Sequence, residues 1–362
     1  MNRIHKIPPS IALFLVLAQT VLANGTWYVN GATGSDTNNC KSPTIACKTI
    51  GHAISLASTG DSIVVAPATY PENITISFSL NLIGSGASTT IIDGGGSGRV
   101  VTIPNYGLFT LSDITIRNGY APWGAGIYNN GRLTINNSTI SGNLAFVRLG
   151  YSYGGGIYNN TNGVLTINNS TLNANTAGCG SIGCAGYGAG IYNIGGVLLN
   201  NSTINGNVAY AHYRCSEGGG IATSGIVSIN NSTFSGNVAC HGGGIFGGSV
   251  FQNSIVANSG GGNCVGNMSS KGYNLSSDGT CAFNSPGDLN NHDPLLGPLQ
   301  NNGGPTQTMA ILPGSPAIDA GNPAGCTDAQ GNLLRTDQRG MPRPDSGDSG
   351  GCDIGAYESQ SQ

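Results

Sequence analysis

The sequence predicts an all-β protein, a right-handed parallel β-helix (solenoid) with a short N-terminal capping helix and an irregular C-terminal capping module. Three observations predict it. One phrase is repeated six times between residues 108 and 258, as FTLSDITIRNG, LTINNSTISGN, LTINNSTLNAN, LLNNSTINGN, VSINNSTFSGN and VFQNSIVANSG, with GAGIYNN, GGGIYNN, GAGIYN, GGGIATS and GGGIFGG between copies. Each copy breaks into short apolar–polar–apolar pieces, the period-2 writing of strands too brief to form a sheet alone. The chain also has 60 Gly in 362 residues and only 8% charged side chains, so its surface is built of amides and hydroxyls. Short strands that bury their apolar sides only by stacking repeat on repeat describe a solenoid. The hand follows from the preference of parallel crossovers for right-handed connections.

Residues 1–23 read as a signal peptide. Arg3, His5 and Lys6 precede the apolar run Ile11–Ala18, and Val21-Leu22-Ala23 offers the processing site. That run is too short to span a bilayer, and no later stretch approaches the length, so the mature chain has no transmembrane segment. Processing there leaves 11 basic and 16 acidic residues, which excludes the basic footprint of a nucleic-acid binder. All ten cysteines follow the signal, which implies an oxidising destination, secreted or at the cell surface (outer membrane or extracellular).

Residues 24–60 hold a strand opening at Trp27, Tyr28 and Val29, a loop closed by Cys40–Cys47, and a helix over Thr49–Ala57. In that helix Ile50, Ala53, Ile54 and Ala57 share one face, suited to plugging an open end of the solenoid. Residues 61–289 form the β-helix. Asp61–Ala66, Ile74–Ile76, Leu80–Ile83, Thr90–Ile92 and Val100–Ile103 read as its first, less regular coils.

Asp113, Asn137, Asn169, Asn201, Asn231 and Asn253 recur at intervals of 24, 32, 32, 30 and 22 residues. They are read as a structural ladder at one corner, where Asn tolerates a left-handed backbone and can bond its amide to its equivalent one coil away. Ile127, Ile157, Ile191, Ile221 and Ile245 should stack inward, leaving Tyr128, Tyr158, Tyr192 and Phe246 as an outward aromatic ladder. Cys215 and Cys240 precede the same strand in neighbouring coils, within a disulfide's reach. Cys179–Cys184 closes a loop, and Cys264–Cys281 and Cys326–Cys352 are expected for the remainder.

The longer repeats all gain residues at one place, between the Gly-Asn turn and the glycine strand. These are Leu144–Tyr153, Thr176–Tyr187 and Val208–Glu217. With Tyr120 and Trp123 they bring Phe146, Arg148, Tyr151, Tyr153, Tyr187, Tyr210, His212, Tyr213, Arg214 and Glu217 to one flank of the rod. Rings with a few fixed polar groups suit a sugar face or a protein partner, and these residues are the candidate ligand-binding set. Mutual cover of the rings, stiffening the loops, is the competing structural reading.

The opening phrase GDSIVVAPATYPENITI resembles the first turn of secreted proteins of the pectate-lyase-like superfamily. The repeated GG[GA]I phrase and Phe234–Asn237 (FSGN) are similar to motifs of bacterial polymorphic outer membrane proteins. Residues 292–358 look like the terminal module of choice-of-anchor surface proteins. The resemblance implies a β-helix exported to a surface, adhesin-like, and carries little about activity; the membrane barrel of the outer membrane proteins has no counterpart.

Residues 290–362 are read as a capping, anchor-like module. Pro294, Pro298, Pro305, Pro313 and Pro316 set turns, and Leu295, Leu296, Leu299, Met309, Ile311, Leu312 and Ile318 supply apolar cover for the last coil. Asp337, Asp345, Asp348 and Asp353 lie among Arg335, Arg339 and Arg343, which points to an ion network, with calcium as the only cofactor class left open.

Relatives that cleave acidic polysaccharides use calcium-holding carboxylates with a basic residue, and glycoside hydrolases need paired carboxylates. Between Ile114 and Ser277 the chain has one carboxylate, Glu217, and no lysine before Lys271. No catalytic residue and no metal site are therefore assigned. The reading is a secreted or cell-surface β-helix protein that binds carbohydrate or a surface protein, or serves as a structural component. A polysaccharide lyase or glycoside hydrolase of the β-helix class is the alternative.

Overall fold

The computed structural model describes residues 24–328, 330–346 and 351–360, so the signal-peptide reading and Asp348 fall outside the described residues. Three parallel sheets of eight, ten and ten strands wind around one core as a right-handed parallel β-helix. A representative coil runs from Ile127–Asn129 in the first sheet, through Arg132–Asn136 in the second, to Thr139–Ser141 in the third. Successive coils stack in register: Ile127 on Ile157, Leu133 on Leu165, Ile140 on Leu172. Each of these side chains is at most 1% exposed, and each buried aliphatic contributes about 1.5–3 kcal/mol. A slip of one residue would turn the isoleucine column to solvent, so the apolar pattern holds the register.

The corner positions Asp113, Asn137, Asn169, Asn201, Asn231 and Asn253 all adopt positive φ, between 46° and 58°. Their side chains do not form the continuous amide ladder expected of them. Only Asn253 reaches its equivalent, Asn231, at 2.9 Å. The left-handed turn directs these amides outward, where Asn201 and Asn231 instead donate to the carbonyls of Thr336 and Thr327. The buried amide ladder belongs to the Asn that closes each Gly-Asn turn or, at Asn175, its Ala-Asn equivalent. Asn143 donates to Asn175 (2.9 Å), Asn175 to Asn207 (3.0 Å) and Asn207 to Asn237 (2.9 Å). The same Asn175 and Asn207 amides also satisfy the carbonyls of Ile140 and Leu172, which would otherwise be buried without donors. A parallel ladder runs from Asn129 through Asn159 to Asn193 and ends on Thr223.

Helix Ile50–Leu56 covers the N-terminal end, burying Ile50, Ala53 and Ile54. Thr49 Oγ1 caps it, and the Glu72 carboxylate accepts from the free N–H groups of Ile50 and Gly51. Beside it Asp61 accepts from Gly25 N, Trp27 Nε1 and Ser58 N. Burial by itself raises the Asp61 pKa. The bonds from Trp27, Ser58 and Gly25, helped by the Lys41 charge, outweigh it and hold the group below the ordinary value. A lowered carboxyl pKa contributes stability above the unfolded value that is lost as pH falls through the folded one. The stability gap between the wild type and Asp61→Asn is accordingly expected to close on acidification, in urea titrations followed by tryptophan fluorescence. A gap that does not change with pH would refute this.

At the other end Cys281 and Phe283 close the last coil, with Phe283 against Phe251 at 5.1 Å and Cys281 bonded to Cys264. Residues beyond 290 pack against the outer flank of the last coils. Leu296–Gln300 and Thr308–Ile311 form an antiparallel hairpin. Ile311, Ala317 and Ile354 pack on Ile255, Ala257 and Leu275, side chains that the third sheet turns outward. The module is a strap laid back along the flank of the rod, while Leu295 and Leu312 stay exposed at 38% and 44%. Gln338 anchors it by donating to Thr171 and accepting from Thr203.

The strap's carboxylates meet donors of its own. Asp337 pairs with Arg339 and accepts from Glu358 N, Glu358 pairs with Arg343, and Asp353 accepts from Asp319 N and Ser359. The disulfides are Cys40–Cys47, Cys179–Cys184, Cys215–Cys240, Cys264–Cys281 and Cys326–Cys352. Among the described residues no helix is long and apolar enough to cross a membrane.

Candidate functional site: an aromatic groove with a missing rung

The insertions add two small sheets to the flank. Tyr120–Ala121, Leu144–Val147, Thr176–Cys179 and Val208–Ala209 stack in parallel. Tyr151–Tyr153 and Cys184–Tyr187 follow, with Ala211–His212 joining antiparallel. A second core of small side chains, including Ala121, Ala145, Ala177 and Ala209, seals them to the rod. The layer is built of small side chains, alanines with buried Ser152 and Ser216 among them. At Gly178 an added Cβ would lie 2.1 Å from the Tyr210 ring.

Each insertion returns to the first sheet through a glycine at φ near +60°, as at Gly154, Gly188 and Gly218. The residue before that glycine is thereby held at a fixed place in each coil. Trp123, Tyr153, Tyr187, Glu217 and His241 consequently fall into one column, each paired with the next. The first sheet supplies the adjacent column, Tyr128, Tyr158, Tyr192, Ala222 and Phe246.

The outward ladder and four of the flank aromatics, Trp123, Tyr151, Tyr153 and Tyr187, form one surface. Tyr128, Tyr158 and Tyr192 stack with ring centroids 5.5 Å apart at each step. Tyr153 meets Tyr192 at 4.6 Å and Tyr187 at 5.5 Å, and stands edge-on to Tyr158 at 73°. Trp123 lies on Tyr158 at 6.2 Å, and Tyr151 closes on Tyr187 at 5.7 Å. The rings form a two-walled groove, and burial raises the pKa of the Tyr153, Tyr158, Tyr187 and Tyr192 hydroxyls.

The groove deepens where the tyrosine ladder stops. Tyr153, Tyr187, Tyr192, Glu217, Ala222, Thr223, Ser224 and Phe246 enclose a cleft of about 270 Å³. Burial raises the Glu217 pKa, and the nearby His241 partly opposes that. Neither Lys nor Arg pairs with this carboxylate among the described residues.

The other candidates lie elsewhere. Tyr120 packs on Phe146 at 6.3 Å in a separate group that Tyr210 borders through Gly178. Arg148, His212 and Tyr213 sit exposed on the insertions, Tyr213 at 88%. Arg214 stands over Tyr151 at 5.8 Å, on the rim. Sequence reasoning missed Ala222, Thr223, Ser224 and His241. The signal was in the repeated phrase, where GGGIATS replaces Ile-Tyr by Ile-Ala.

Two places among the described residues bring three potential metal ligands together, Cys40–Cys47–His52 and Cys215–Cys240–His241. Each contains a closed disulfide, so no thiolate is available to a metal.

No family model matches the chain. No curated protein matches it either. Solved structures do resemble it. A pectin methylesterase from Aspergillus niger is 17% identical over 75% of this chain and 86% of its own, with a TM-score of 0.44. The pectate lyase Pel9A is 14% identical over 94% of this chain and 98% of its own, with a TM-score of 0.40. The pectin methylesterase PemA from Erwinia chrysanthemi is 15% identical over 68% and 82%, with a TM-score of 0.35. At these identities and TM-scores no residue role transfers to this chain.

Proposed function

We propose that the chain is a secreted β-helix protein that binds a polysaccharide along the two-walled aromatic groove. The observation that carries this reading is the continuous run of Tyr128, Tyr158 and Tyr192 beside Trp123, Tyr153 and Tyr187. Aromatic faces on a rigid rod offer apolar platforms for sugar rings, and a few polar groups orient them. Thr223, Ser224 and Glu217 are the polar groups at the deep end. Five disulfides support an oxidising, extracellular setting.

Tyr158 and Tyr192 stand at the centre of the walls. Tyr158→Ala and Tyr192→Ala are each expected to weaken binding to a responsive polysaccharide by about tenfold, a loss of ~1.4 kcal/mol. Affinity electrophoresis over a panel of neutral, acidic and amino polysaccharides reads this. Unchanged mobility shifts in both variants would remove the reading.

A second reading, cleavage of the bound polysaccharide, draws on Glu217, a carboxyl group that burial keeps protonated to higher pH, as a general acid requires. It predicts release of reducing or unsaturated ends that Glu217→Gln abolishes. The absence of a second carboxylate from the cleft lining favours binding.

A further inference from the structure

Each coil of the tyrosine ladder adds one ring, so one missing ring leaves a space of defined width. Tyr192, Ala222 and Phe246 occupy consecutive positions of the same column. Strands repeat every 4.7–4.9 Å, which sets the Tyr192 and Phe246 backbones roughly 10 Å apart with only a methyl group between them. A group seated over Ala222 would have an aromatic ring on either side, each within the ~6 Å at which a cation is drawn to a ring face.

The neighbouring column adds a charge at the same level. Glu217 belongs to the coil of Ala222, as Tyr187 belongs to the coil of Tyr192. Its carboxylate therefore sits beside the gap, with Tyr153 and Tyr187 completing the wall. Among the described residues it accepts no hydrogen bond and has no basic partner except the charge of His241 on the next coil.

The opposite end of the ladder shows what these faces attract. There Arg99 holds its guanidinium 5.0 Å from the Tyr128 ring centroid, fixed by bonds to the carbonyls of Trp123 and Gly124. One end of the stack thus carries the protein's own cation, and the other presents an aromatic slot with an unpaired carboxylate. Arg214, over Tyr151 on the rim, opposes a cationic ligand, but it is exposed and screened by salt.

We propose that the slot between Tyr192 and Phe246, beside Glu217, binds a positively charged amino group carried by the polysaccharide, so that the preferred ligand contains amino sugars. This rests on the groove being the polysaccharide site. Glucosamine oligomers and fully N-acetylated oligomers of the same length share the sugar rings that the groove would stack, but acetylation replaces the chargeable amine with a neutral, bulkier amide, and Glu217→Gln then separates charge from size. In calorimetric titrations of the full chain near neutral pH, the free-amine oligomer is expected to bind at least tenfold more tightly.

Glu217→Gln is expected to abolish that preference. Ala222→Tyr, which adds the missing ring and keeps the carboxylate, is expected to abolish it independently. Equal affinity of the wild type for both oligomers, while Tyr158→Ala still weakens both, would overturn the amine site and leave the groove standing. A preference that survives both Glu217→Gln and Ala222→Tyr would overturn it as well. Failure of Tyr158→Ala to affect either oligomer would instead remove the groove itself.

Discussion

Asn175→Ala is expected to destabilise the protein by about 3 kcal/mol or more, since each donor or acceptor left buried without a partner costs about 1–3 kcal/mol. Asn175 is fully buried and joins three coils. Its amide donates to Ile140 O and Asn207 Oδ1, and its own oxygen accepts both N and Nδ2 of Asn143. Alanine removes all four bonds inside a space too narrow for the backbone to find others. Asn168→Ala is the internal control. Asn168 also bonds along the rod, to Asn136 and Asn200, but from the half-buried outer face of the second sheet. Water can replace those bonds, so a loss of no more than about 1 kcal/mol is expected there. Urea denaturation of both variants reads the difference. Equal losses would show that depth of burial is irrelevant to these ladders.

Arg343→Met is expected to cost about 3–5 kcal/mol, because it strips the partner from a buried carboxylate. Arg343 Nε meets Glu358 at 2.7 Å with both side chains fully buried, and its Nη1 donates to Asn201 at the corner of the rod. The ion pair thus holds the strap together, and the Arg343–Asn201 bond fastens it to the β-helix. The loss should appear as early proteolytic release of the segment beyond Leu289 as well as a lower urea midpoint. Arg343→Met combined with Glu358→Leu should recover much of the loss, since neither charge is then buried alone.

The pH dependence of that variant has a definite sign. Burial raises the Glu358 pKa, the Arg343 charge opposes it, and Asp353 adds to the rise. A carboxyl whose folded pKa is raised binds its proton more tightly in the folded state, so its contribution is complete below the unfolded value and lost as pH rises through the folded one. Removing Arg343 deletes the opposing charge. The deficit of Arg343→Met should therefore be largest at neutral pH and shrink as pH falls toward the unfolded carboxyl value. A deficit that grows on acidification would contradict the assignment.

Much of this could be read from the chain because a solenoid repeats its instructions. The isoleucine and tyrosine of GAGIYN must face opposite ways by the period of two, and coil stacking turns each into a column. The insertions were legible for the same reason, since extra residues at a constant point of the repeat emerge on one flank. The choice between the two asparagines was not legible. Asn137 and Asn143 both sit at turns of the same phrase, and only backbone conformation distinguishes them. The φ of +48° at Asn137 directs its amide away from the core, whereas Asn143 turns its amide into the interior to reach Asn175.

What the sequence alone determined was the architecture: number and register of coils, the inward column, and the presence of aromatic groups on one side. Tertiary structure alone decided that Tyr153 and Tyr187 close against Tyr158 and Tyr192, that Glu217 falls level with Ala222, and that the last segment doubles back until Gln338 meets Thr171. The physical reason is that repetition encodes contacts between equivalent positions of neighbouring coils. Contacts between different columns, or with a segment outside the repeat, depend on turn geometry and side-chain reach, which leave no period in the chain.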